Sequence, residues 1–187
     1  MALGTLLLGY FMMLNSTIGT ENLSIDISVD AVGVLLMVSG GIMLKRYSDK
    51  FRLLFRCAAV MVPVSIFFVV YQLKLWDGFE HSFFAILYRV LDLGWIILLY
   101  GLQCAVFGGV AKIAADCELF VLEARLKICR RIGLVYAVVA VLYWTLCLAF
   151  PAVFEPYGYY IRYLLYDLIV FFQTFYLFKA WREIAFV

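Results

Sequence analysis

The chain has 187 residues, of which 67% are hydrophobic, 18% aromatic and only 15% charged, with a net charge of +2 and a mean hydropathy of +1.02. Soluble domains are roughly half apolar, and here the charges are bunched between long apolar runs instead of being spread along amphipathic faces, which excludes a water-soluble globule. The composition is that of one integral membrane domain spanning residues 1–187, with the lipid bilayer as its first partner.

A hydrocarbon core about 30 Å thick needs about 20 apolar residues in a helix. Six runs meet or approach that length: Ala2 to Ile18, Ala31 to Leu44, Leu53 to Leu73, Phe83 to Ala111, Ile132 to Phe150 and Tyr159 to Ala180. The first contains Asn15, Ser16 and Thr17, and the second is short and rich in glycine (Gly33, Gly40, Gly41), so both are expected as shallow or tilted helices. No positive charge precedes the first run and no small-x-small site closes it, so it is expected to stay as a span and not to be cleaved as a signal peptide. The expected fold is therefore all-α, a polytopic bundle of six transmembrane helices that reads as three helical hairpins. Pro63, midway along the third run, is expected to kink it.

Basic residues retain a connection in the cytoplasm. Lys45, Arg46, Lys50, Arg52 and Arg56, then Lys112, Arg125, Lys127, Arg130 and Arg131, then Lys179 and Arg182 account for twelve of the fifteen, all on one side of the six-span arrangement. The opposite loops hold Lys74 against Glu21, Asp26, Asp30, Asp77, Glu80 and Glu155. The expected location is the cell membrane, multi-pass, with both termini cytoplasmic.

The stretch Lys112 to Arg131 is the one long non-spanning segment, and its pattern predicts a cytoplasmic amphipathic helix. Glu123 and Lys127 have the spacing of an i,i+4 ion pair, and two apolar faces flank the charged stripe. Such a helix would lie at the lipid interface or dock a partner subunit or a second copy of the chain.

Chemistry-bearing groups are few. The five cysteines include no C-x-x-C pair and read as packing thiols, and the single histidine, His81, sits at the edge of the fourth run. No metal site or haem is expected from so few ligands, and no cofactor of any kind. No nucleophile, base or phosphate-cradling loop is spaced for catalysis, so no enzyme is expected, and the basic clusters are accounted for by topology without nucleic acid.

What remains are ionised groups inside the apolar runs, where they persist only if paired, sheltered or working. Asp92 follows Arg89 by three residues and Asp167 follows Arg162 by five, each about nine residues into its run. The fourth and sixth runs point the same way, which predicts both aspartates at similar depth in the outer half of the bilayer. Arginines snorkelling outward from structural ion pairs would explain them. So would a polar pocket walled by Tyr88, Trp95, Tyr163 and Tyr166, with Gln103 and Gln173 deeper, that takes a small polar or cationic solute. Size and six-span topology resemble the small substrate-binding components of bacterial vitamin uptake systems. Two carboxylates in the bilayer are more than packing needs, so the expectation is a solute-binding or transport component with an outward-facing polar pocket; the alternative is a non-catalytic structural or regulatory subunit that acts by helix contacts.

Overall fold

The computed structural model describes residues 2–14, 17–20, 23–26, 30–72, 82–158 and 160–184. Helix α1 (Ala2–Phe11) is followed by an antiparallel hairpin of β1 (Thr17–Thr20) and β2 (Leu23–Asp26), in which Ile18 pairs with Ile25. Then come α2 (Asp30–Leu44), α3 (Phe51–Gln72), α4 (Ser82–Asp116), α5 (Phe120–Ala149) and the single turn α6 (Pro151–Phe154). A 3-10 turn (Glu155–Tyr157) and a π-helical turn (Tyr160–Leu164) lead into α7 (Leu165–Ile184). The fold is all-α apart from the small hairpin.

The long helices pack in chain order into a closed ring, with α7 returning to α1. Neighbours run antiparallel. Gly9 faces Gly33 while Gly40 faces Ala2, Phe51 covers Gly109 while Cys57 meets Gly101, and Trp181 lies on Gly4 while Tyr10 reaches Gln173. All twelve basic residues named above consequently gather at the end where α1, α3 and α5 begin, hereafter the basic end. The starts of α2, α4 and α7, with Asp30, Asp92 and Asp167, lie toward the other, acidic end.

The seam between α1 and α2 is closed backbone to backbone. A Cβ on Gly9 would stand 2.5 Å from the Gly33 carbonyl oxygen, and one on Gly40 would stand 2.7 Å from that of Ala2. Small residues at this spacing let two helices approach closely where no hydrophobic driving force exists between lipid and protein.

Among the described residues three helices are long and apolar enough to cross a membrane, over Phe51–Tyr71, Ile86–Asp116 and Phe120–Ala149. The first predicted span is shorter than expected. Helix α1 stops at Phe11, and i→i−3 bonds from the Met13 and Leu14 amides to Tyr10 and Phe11 tighten its end before the polar residues begin. At 1.5 Å per residue it is about 15 Å long, half a hydrocarbon core. Helix α3 runs unbroken through Pro63, which leaves the Ala59 carbonyl without its helical donor.

The predicted helix over Lys112 to Arg131 is corrected. These residues are the last turn of α4, a reversal and the first three turns of α5. Glu118 takes a left-handed conformation (φ 59°), its amide bonds to Ala115 and that of Leu119 to Ala114, at 3.0 and 2.8 Å. That bonding pattern is a Schellman motif with glutamate in the position usually held by glycine. The Glu123–Lys127 pair forms as its spacing predicts, at 2.5 Å, because both residues lie within α5.

Candidate functional site

The interior holds a polar knot that joins four helices. The Tyr10 hydroxyl donates to Gln173 Oε1, and Gln103 Nε2 donates to the Tyr10 oxygen at 3.0 Å and to Gln173 Oε1 at 3.3 Å. Gln173 Nε2 in turn donates to the Cys129 carbonyl at 2.9 Å. Tyr10, Gln103 and Gln173 are 0%, 1% and 0% exposed. Chain geometry brings them together: Gln173 lies on the buried stripe Tyr166, Val170, Gln173, Leu177, Ala180 of α7, and Gln103 on the buried face of α4 with Leu102, Val106 and Phe107. The ring of Phe107 meets that of Tyr10 edge-on at 5.4 Å. Gly133, one turn after Cys129, makes room, since a Cβ there would lie 2.1 Å from Gln103 Oε1. The knot is neutral and close-packed, and its amides and phenol tie α1, α4, α5 and α7 to one another.

Toward the acidic end the next buried polar group on the α7 stripe is Tyr166. Asp30, Tyr10, Tyr136 and Asp167 all lie within electrostatic reach of it, and its ring centroid is 5.6 Å from that of Tyr136. Asp30 Oδ1 is shut off from solvent. Two carboxylates and two phenols thus lie within electrostatic reach of one another around Tyr166, on the acidic-end side of the knot, and such groups suit a cation or a proton-exchanging solute.

The predicted site residues divide into two groups. Tyr88, Asp92 and Trp95 share one face of α4, and the two aromatics turn to α3: Tyr88 stacks on Tyr71 at 4.8 Å and lies 5.1 Å from Phe68, which Trp95 meets at 5.8 Å. Asp92 is half-buried there, and Arg89 is exposed. Asp167 belongs with Tyr166 instead. The expectation of equal depth is corrected by the helix rise. Gln103 and Gln173 are level, bonded to each other, and Asp92 precedes the first by eleven residues whereas Asp167 precedes the second by six. At 1.5 Å per residue Asp92 therefore lies about 7 Å nearer the acidic end. Gln103 occupies the knot itself. Arg162 and Tyr163 lie in the π-helical turn just before α7, and their side chains, like His81 and Lys74, are outside the described residues.

Sequence reasoning missed Tyr10 and Asp30. Tyrosine passes as apolar in a hydropathy run, and the partner of Tyr10 is 163 residues away; the only local signal was Gly9, which admits α2 beside it. Asp30 stood at a predicted span boundary, where an acidic residue is ordinary.

Compared with known proteins, the chain matches no family model, no curated protein and no solved structure. The likeness in form to vitamin-uptake components accordingly rests on size and span count alone.

Proposed function

We propose that the protein is a multi-pass membrane solute-binding or transport component whose site opens at the acidic end. In this reading α1 to α5 and α7 form the membrane bundle, with α1 and α2 as short, closely paired members. The basic end and both termini are cytoplasmic, by the weight of lysine and arginine there. Asp167, Tyr166 and Asp30 form the inner part of the site, and Asp92 with Arg89, Tyr88 and Trp95 its outer approach, with Arg162 and Tyr163 on the turn above α7. The observation that carries the reading is that Asp30, with its Oδ1 shut off from solvent, and Asp167 both lie within electrostatic reach of the buried Tyr166. Carboxylates are costly in a bilayer unless they face protein or water, and a small polar or cationic solute is the ligand they suit.

The test is thermal unfolding in mild detergent with sodium, methylammonium, choline or spermidine added in turn. A solute that binds only the folded state adds about 2.7 kcal/mol at a hundredfold excess over its Kd. The expected result is a saturable rise in midpoint with one of these cations, lost in Asp167→Asn and kept in Arg125→Gln. The absence of a saturable rise with all four, or a rise untouched by Asp167→Asn, would contradict it.

A structural or regulatory subunit is the second reading, and one observation favours it. Phe120 and Val121, at the tip of the α4–α5 hairpin, are 66% and 69% exposed, one turn before Arg125. An apolar tip beyond the bilayer would serve a partner subunit or a second copy. A mass in mild detergent above that of one chain would support it.

A further inference from the structure

We propose that the seam between α1 and α7 is a binding site for one anionic phospholipid of the leaflet at the basic end. The proposal goes beyond solute binding and needs only that the bundle lies in a membrane. Two cavities border Trp181. One, of about 600 Å³, is a groove lined by Leu7, Leu8 and Phe11 of α1 and by Phe171, Phe175 and Phe178 of α7. The other, of about 590 Å³, is bounded by Ala2, Leu3, Ile184 and the chain from Ile42 to Tyr47, including the exposed Lys45 and Arg46. Trp181 lines both. Its indole lies over Gly4, with Nε1 3.4 Å from where a Cβ would stand, which is van der Waals contact.

Shape and charge point to the same occupant. From Trp181 to Phe171 the groove follows ten residues of α7, about 15 Å, the depth of one leaflet. An acyl chain fills such a length, and a soluble cytoplasmic molecule does not reach into it. The head end offers two cations on adjacent residues, with Arg46 held over the Tyr47 ring at 4.8 Å. Basic pockets between helices on the cytoplasmic side recognise anionic headgroups, and an amphipathic indole at the level of the headgroups is a common anchor. A phosphodiester between Lys45 and Arg46 with one acyl chain running past Trp181 satisfies both cavities at once.

The test is native mass spectrometry of the full chain released from mild detergent after incubation with phosphatidylglycerol or with phosphatidylcholine of the same acyl chains. The expected result is a single saturable adduct with phosphatidylglycerol, and at least tenfold weaker binding of phosphatidylcholine. Lys45→Gln with Arg46→Gln, both exposed and hence neutral to folding, should weaken phosphatidylglycerol to the level of phosphatidylcholine. Leu8→Trp, which fills the groove from an exposed position, should weaken both lipids, and inorganic phosphate at millimolar concentration should displace neither. Equal binding of the two lipids to the unsubstituted chain, retention of the preference in the double variant, or displacement by free phosphate would overturn the proposal.

Discussion

At the scale of single residues the bundle is held by a few neutral polar groups whose partners are far apart in the chain. Tyr10→Phe removes the donor to Gln173 and the acceptor for Gln103 in one step. It should cost about 1–2 kcal/mol, the range of hydrogen bonds between membrane helices. Reversible unfolding in detergent would measure it. Gln103→Leu and Gln173→Leu should be non-additive, the pair costing less than the two single losses combined, because the second substitution removes a partner already stranded. Strict additivity would mean that the knot does not act as a unit. Gly133→Ala should be destabilising by about 1–3 kcal/mol, since the added methyl must push Gln103 out of its bonds. The two glutamines were legible as polar groups in apolar runs, and the structure gives them each other. The aspartates were legible as unusual but not as a group: which carboxylate lies beside which tyrosine depends on helix register, and register across a ring is set by contacts such as Gly9 on Gly33, which no local pattern encodes.

At the scale of elements, run length placed α2, α3 and α4 to within five residues at each end, because apolar content over about 20 residues is a strong signal, but it began α5 at Ile132, twelve residues late. It failed where the backbone, not the side chains, decides. The break between α4 and α5 carries no glycine or proline, so the amphipathic pattern reads straight through a reversal made by Glu118 at φ 59°. Glu118→Gly should therefore stabilise the chain by about 0.5–1 kcal/mol, whereas Glu118→Val should destabilise it, both measured as unfolding midpoints. The α1–α2 seam gives the opposite case. Gly9→Leu or Gly33→Leu cannot be accommodated without parting the two helices, and should displace Tyr10 from the knot. Loss of the folded population in detergent well beyond the cost of Tyr10→Phe is the expected outcome.

At the scale of the whole molecule, one asymmetry organises the account. Twelve of the fifteen basic residues lie at one end of an antiparallel ring and three half-buried aspartates lie toward the other. The basic end carries surface ion pairs, Arg52 with Asp49 at 3.1 Å and Lys179 with Glu183 at 3.4 Å, that contribute little to stability but keep that end hydrated. A lipid site at the basic end and a solute site toward the acidic end would then face opposite sides of the membrane, and which side each faces depends on which end is cytoplasmic. Labelling with a membrane-impermeant maleimide in intact cells measures this directly, in chains whose five cysteines are replaced by alanine and which carry either Asp49→Cys at the basic end or Tyr157→Cys at the acidic end. The account predicts that Tyr157→Cys is labelled from outside and Asp49→Cys only after the membrane is opened; labelling of Asp49→Cys in intact cells, with Tyr157→Cys protected, would contradict it.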